Sequence, residues 1–247
     1  MPKPSIAETC SQVYNVFFNP GEVTEIRAYG LSRESKAWEG WAGGSGIVYG
    51  YFDNAEDFGR CAAALEAEKA PGIYFVLNPV KPDLLARACN KLMASKPKTV
   101  ATSDKDVLCL RWIYVDLDRN KEKTKGISSN QKELNSAITL RNTIHQWCKD
   151  TWGVRHVVPA MSGNGAHLII QFEDLPNTLD NAEMVKSVLS YLDHKFSNEE
   201  TEVDTSTFNP SRICKLYGTT ARKGDHIPVR PHRRSYIEPR YFEQFLS

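Results

Sequence analysis

The chain has 247 residues, enough to bury a substantial core as one large domain or two tightly joined lobes. Its 41% hydrophobic and 25% charged residues and its formal net charge of +1 are those of an ordinary globular protein and exclude a disordered or collagenous chain. No apolar run is long enough to span a bilayer, and MPKPSIAETCSQVYNV has no apolar core behind a basic start, so a reducing, cytoplasmic setting and no membrane partner are expected.

In chain order, FGRCAAALEAEKA reads as a helix with Phe58, Cys61, Ala62 and Leu65 on one face. GIYFVLNPV follows as a strand, and PDLLARACNKLMA as a helix begun by Pro82, which together make an α/β lobe. The polar stretch KPKTVATSDKD is expected to be a loop leading into the long strand VLCLRWIYV. The polar loop RNKEKTKGISSN comes next. Asn130 with Glu133 three residues on marks a helix start, and Ala137, Leu140, Ile144 and Trp147 form its buried stripe. Asn164-Gly165, between HVVPAM and LIIQF, signals a hairpin because both residues tolerate positive φ. Pro176 is then expected to open a helix with Val185, Val188, Leu189 and Leu192 on its apolar side, delivering the chain to Asp204. Six widely spread cysteines form no C-x-x-C pair, so neither a zinc knuckle nor a disulfide framework is indicated.

The long strand ends in Asp116-Leu117-Asp118. Side chains alternate across a strand, so the two acids share a face with Trp112 and Tyr114 while Ile113, Val115 and Leu117 take the other. At about 3.3 Å per residue their Cα atoms would lie roughly 7 Å apart, close enough to clasp the same oxygen-seeking cations. Two like charges that close raise one pKa, a penalty that a divalent ion removes. Acidic pairs are common, and a solvated strand end entering the polar loop is the simpler explanation of this pair taken alone. In TEVDTSTF, Glu202 and Asp204 again share a face if the segment is extended; Asp204 is the better third ligand, or else a cap for the turn TST.

Ser162-Gly163-Asn164-Gly165-Ala166-His167 places hydroxyl, imidazole and turn N–H donors around a hairpin tip, where they could grip phosphate oxygens. A hairpin alone explains the glycines. Residues 209 to 240 hold eight Lys or Arg against the two acids Asp225 and Glu238. Arg212 and Lys215 precede the turn Gly218-Thr219-Thr220, and Arg222 and Lys223 follow it, a cradle for a triphosphate and a nucleic-acid backbone, or simply a solvated basic tail. Near-neutral net charge does not argue against nucleic acid, since a basic groove and an acidic site cancel in the sum.

The order DLD, SGNGAH, then VD followed by NPSRICKLYGTTARKG resembles the three motifs of the archaeo-eukaryotic primase superfamily, including primase-polymerases of plasmids, phages and mobile elements. EIRAYG, GYFDNAEDF and GIYFVLNPV are similar to the amino-terminal part of such members, so the resemblance covers most of the chain. It implies an α+β primase fold: an amino-terminal α/β lobe, residues 1–106, packed on an RRM-like catalytic sheet with helices, residues 107–247, with the active site between them. It implies template-directed joining of nucleoside triphosphates, ribo- or deoxyribo-, as a DNA primase or polymerase using two Mg²⁺ or Mn²⁺ ions. Asp116, Asp118 and Asp204 would be the metal ligands. Ser162, Gly163, Asn164, Gly165 and His167 would meet the incoming nucleotide, and Arg212, Lys215, Arg222 and Lys223 its triphosphate. Relatives often carry a helicase after this region, so a helicase domain or another replication partner is expected beside a single-stranded DNA template. Arg230, Arg233 and Arg234 lie farther along and are placed by sequence distance to meet a nucleic-acid backbone.

The chemistry of two cations agrees, because they can activate a 3′-hydroxyl and stabilise departing pyrophosphate without a protein nucleophile. Two other readings stay open. A metal-dependent nuclease would use the same carboxylates with water as nucleophile. A non-catalytic RRM-like binding module would want exposed stacking aromatics and no cluster of acids.

Overall fold

The computed structural model describes residues 4–120 and 126–246, so residues 121–125 of the expected polar loop lie outside the described residues. The chain runs α1 (Ile6–Phe17), β1 (Thr24–Tyr29), β2 (Val48–Phe52), α2 (Ala55–Ala67), β3 (Gly72–Val76), β4 (Met93–Ala94), β5 (Cys109–Arg119), α3 (Gln131–Trp152), β6 (Val157–Met161) and β7 (Ala166–Pro176). It continues through α4 (Leu179–Phe196), β8 (Thr201–Val203), β9 (Ile213–Lys215), β10 (Thr220–Ala221), β11 (Arg233–Arg234), β12 (Tyr236–Ile237) and α5 (Pro239–Leu246).

The helices begin where local chemistry says they should. Ser5 with Glu8 and Asn130 with Glu133 form reciprocal capping boxes, satisfying backbone N–H groups that the first turn leaves open. Asn54 and Thr178 cap α2 and α4, and α3 stops at Gly153, whose φ of 64° suits a residue without Cβ. Two expectations are corrected. The segment from Pro82 forms only a 3₁₀ turn, Pro82–Arg87, before the chain extends into β4; Leu84 is its one buried residue, so no apolar stripe exists to carry a longer helix. Pro176 ends β7 and does not open α4, whose first turn is held by the Thr178 hydroxyl.

The strands form two five-stranded antiparallel sheets and a two-stranded ribbon of β10 and β11. The first has the order β4-β2-β1-β3-β9 and the second β12-β6-β7-β5-β8. Within the second, β5-α3-β6-β7-α4-β8 is a β-α-β-β-α-β unit with its strands in spatial order fourth, first, third, second, the RRM-like arrangement. The chain is therefore α+β, as expected. Sheet membership does not follow the chain division at residue 106, because β9, from the second half, pairs with β3 and closes the first sheet.

Strand β5 splits two cores. Trp112 and Tyr114 enter a core shared with α1, α2 and the first sheet, where they meet Phe17, Phe75 and Tyr217. Ile113, Val115 and Leu117 enter a second core with Leu140, Ile144, Leu189 and Leu192 of α3 and α4. This is the alternation expected from the sequence. Burying each such side chain contributes about 1.5–3 kcal/mol, so β5 is fixed from both faces and its end, carrying Asp116 and Asp118, is held rigidly.

Candidate active site

Alternation along β5 puts Asp116 and Asp118 on the face that opens into a cleft of about 570 Å³. Antiparallel pairing with β7 sets Asp116 opposite His167, and pairing with β8 sets Asp118 opposite Glu202. Two carboxylates directly across a strand pair repel each other, a cost that a cation would remove. Asp204 comes next to Asp116, its backbone N–H donating to the Asp116 carbonyl at 2.9 Å. The Asp204 side chain caps the 3₁₀ turn Thr205–Phe208, accepting from the Ser206 N–H and hydroxyl, and its second oxygen lies 3.8 Å from Arg212. Among the described residues no group of three or more His, Cys, Asp or Glu side chains is gathered to hold a metal ion. The donor set nevertheless fits Mg²⁺ or Mn²⁺, because hard cations of this kind take one or two carboxylates and fill the remaining positions with water and substrate phosphate.

The hairpin between β6 and β7 sits against this acid pair. Its positive φ, +104°, falls on Gly163 and not on Asn164-Gly165, which corrects the expected turn. The Ser162 hydroxyl accepts from Gly165 N–H at 2.9 Å, and Asn164 Oδ1 accepts from Ser129 N–H at 3.0 Å, so both polar side chains brace the tip while lining the cleft. Gly165 is required for a different reason. A Cβ there would collide with the Leu117 carbonyl oxygen and with Asp118 Oδ1, so only glycine lets the turn lie under the carboxylate.

His167 is 2% exposed and sits in a cage of hydroxyls. The Tyr114 hydroxyl lies 2.9 Å from Nε2 and the Tyr217 hydroxyl 2.6 Å from Nδ1. Burial, the strongest influence on the ring, disfavours its charge; Asp116, 3.4 Å away, and after it Cys214 more than compensate and raise the pKa to about 10. The imidazolium is thus a fixed positive charge behind Asp116.

The expected basic residues divide into separate jobs. Arg212, Lys215, Arg222 and Lys223 all line the cleft with the acids and the hairpin. Arg222 is paired with Glu66 of α2 and also donates to the Ala70 carbonyl, joining the loop after β10 to the first sheet's helices. Arg212 Nε is buried with no hydrogen-bond partner among the described residues. Lys215 is 4% exposed and Lys223 is exposed.

The distal arginines are largely occupied by the protein. Arg230 donates to both oxygens of Glu133 and to the Ser128 carbonyl, and Arg233 donates to the Ser129 carbonyl, so the pair straps the loop after β10 onto the start of α3. Arg234 is exposed, with Nε donating to the Gly218 carbonyl.

Several contributors escape a reading of the sequence. Tyr29 and Tyr74, which stack edge to face with centroids 5.9 Å apart, and Gly72 come from the first sheet to form the wall opposite the acids. Tyr217 and Glu66 act through contacts at sequence separations of 50 and 156. Tyr114 alone carried a signal, its place on the same strand face as Asp116.

No family model and no curated protein matches the chain. Among solved structures, the chain is similar to the primase RepB′, with 9% identity and a TM-score of 0.47, over 98% of this chain and 62% of that one. It is also similar to the polymerase domain of Ligase D from Mycobacterium tuberculosis in complex with DNA, with 13% identity and a TM-score of 0.49, over 98% of this chain and 86% of that one. The chain thus spans less than two thirds of the RepB′ chain.

Proposed function

We propose that this cleft carries out template-directed nucleotidyl transfer, joining nucleoside triphosphates as a DNA primase or polymerase. The observation that carries this reading is the meeting, in one cleft between two sheets, of the Asp116–Asp118 pair with Arg212, Lys215 and Lys223. Carboxylates beside basic side chains that line the same cleft suit a substrate that is polyanionic and metal-bound. A nuclease would use the same carboxylates, and it is the cluster of three basic side chains in the cleft that favours a triphosphate substrate.

Asp116 and Asp118 would hold divalent Mg²⁺ or Mn²⁺, with Asp204 as the third ligand. Such ions supply Lewis-acid charge at phosphate oxygens and lower the pKa of a coordinated hydroxyl. The chain's own residues do the rest. Arg212, Lys215 and Lys223 receive the triphosphate, the Arg212 Nε gaining the acceptor it lacks. His167 fixes the orientation of Asp116 and keeps a positive charge behind it, and the hairpin tip closes one side of the cleft. Tyr29 and Tyr74 offer flat apolar faces on which a base or sugar could rest. A single-stranded DNA template would lie along the basic loop, with Arg234 the distal arginine best exposed to meet its phosphates and Arg230 and Arg233 holding the loop in place. A helicase domain or another replication partner would supply that strand.

The test is direct. Purified protein is incubated with single-stranded template, with and without primer, labelled nucleotides and Mg²⁺ or Mn²⁺. Metal-dependent products that grow with the template, and that vanish in Asp116→Ala and Asp118→Ala, are expected. Shortened template would mark a nuclease, and binding without either product a recognition module.

A further inference from the structure

Lys215 ends β9, the strand that crosses from the second half of the chain to close the first sheet. Register pairs it with Tyr74 of β3, so both side chains point to the same face and both line the cleft. The amino group is enclosed. It donates to the Thr219 hydroxyl at 2.7 Å and to the Thr220 carbonyl at 3.2 Å, and it lies 5.8 Å from the centre of the Tyr74 ring. Thr219 cannot be the donor in that contact, because its proton goes to the Leu216 carbonyl at 2.6 Å.

A neutral amine has two N–H hydrogens, and the protein offers two acceptors; an ammonium has three, and the third has no protein acceptor among the described residues. Nor does Lys215 make an ion pair among those residues. Glu66, the carboxylate on α2 whose field reaches it, spends its oxygens on Arg222 and on the Thr220 N–H. Two hydrogen bonds and the Tyr74 ring offset only part of the desolvation cost of a buried ammonium that has no countercharge bonded to it among the described residues. Lys215 and Tyr74 line the same cleft, the side from which an anion would approach the amino group.

We propose that Lys215 is a proton-taking anion anchor, resting as the neutral amine and becoming the ammonium when polyphosphate oxygens enter the cleft, so that each binding event draws one proton from solvent. This rests on the cleft being a triphosphate site, as proposed above. The charged groups around Lys215 agree with the hydrogen count: burial, the largest influence, lowers its pKa to about 7, Glu66 and Cys10 of α1 oppose that, Arg222 adds to it and Cys214 opposes it. Selectivity follows, since a ligand with oxygens but no charge gains nothing from the new ammonium, whereas a polyphosphate supplies the missing acceptor and the countercharge together.

Calorimetric titration of the whole protein with inorganic tripolyphosphate at pH 8, in two buffers of different ionisation enthalpy and the same magnesium, counts the protons taken up. At that pH an amine with a pKa near 7 is roughly nine-tenths neutral. Wild type should therefore take up close to one proton more than Lys215→Arg, whose guanidinium is charged throughout. Its affinity should weaken up to about tenfold per pH unit above 7, while that of the arginine variant stays flat. Lys215→Met should bind weakly with neither proton uptake nor this pH slope. Equal uptake by wild type and Lys215→Arg, a flat wild-type profile, or no binding of tripolyphosphate would overturn the proposal. Primer extension on the same samples keeps the two readings apart. Extension without proton uptake removes only the anchor; proton uptake through Lys215 without extension removes only the polymerase.

Discussion

His167 Nε2 lies 3.4 Å from Asp116 Oδ1, across a register pair that sets the two residues face to face on β5 and β7. The carboxylate offsets a burial that by itself would keep the ring neutral. Asp116→Asn removes the offset and leaves the burial. In metal-free protein, the wild-type ring should stay protonated through pH 8 by NMR and the variant's should be neutral at pH 7. The sign of the stability effect follows. The folded pKa, about 10, lies above the ordinary 6.5, so the contribution is complete below about pH 6.5 and fades as pH rises towards 10. The unfolding free energy of wild type relative to Asp116→Asn should shrink over that window, and a constant difference would separate the His167 charge from Asp116.

Arg222 and Glu66 tie the loop after β10 to α2, and both are largely withdrawn from solvent. Arg222→Ala should cost about 3–5 kcal/mol in urea unfolding, because it strands a buried carboxylate. Replacing both, as Glu66→Gln with Arg222→Met, should cost less than the single change. A double variant less stable than Arg222→Ala would show that the pair stabilises beyond its own desolvation.

Asp118 and Glu202 oppose each other across β5 and β8. Without divalent ions, Asp118→Asn should raise the melting temperature, since relieving a cross-strand like-charge pair is worth about 0.2–1 kcal/mol. With Mn²⁺ the order should reverse, wild type gaining stability from bound metal and the variant losing that gain. Identical Mn²⁺-induced shifts in the two proteins would detach Asp118 from metal binding.

Gly165→Ala places a methyl group against Asp118 Oδ1 and the Leu117 carbonyl. About 1–3 kcal/mol of destabilisation is expected from such overpacking. Synthesis should fall further than stability, because the carboxylate must move. Full activity with unchanged melting would mean that the hairpin can retreat without disturbing Asp118.

What was legible in the sequence is what neighbouring residues decide. Alternation along β5 sorted Trp112 and Tyr114 from Ile113, Val115 and Leu117 correctly, and Asn130 with Glu133 marked the start of α3, because both depend on spacings of two to four residues. The turn at residues 162–165 was foreseen, but its left-handed residue was not: Gly163 must avoid Ala221 and the Arg233 carbonyl, which belong to a ribbon that packs against it from far along the chain. The same distance hid the partners of the basic residues. Arg222, Arg230 and Lys215 look alike as charges in a sequence, yet Arg222 pairs with Glu66, Arg230 with Glu133, and Lys215 donates to the Thr219 hydroxyl, which sets them to different tasks.

Strand β9 covers the outer edge of β3 with Ile213, Cys214 and Lys215 facing Val76, Phe75 and Tyr74. A fragment ending at residue 106 would contain every other strand of the first sheet and lack only this one. Its exposed border would be a row of unpaired backbone donors and acceptors beside an apolar face, the template on which another copy can add as a strand. Truncation at what reads as a natural boundary should therefore yield self-association, and a short peptide spanning residues 213–215 and their flanks should suppress it.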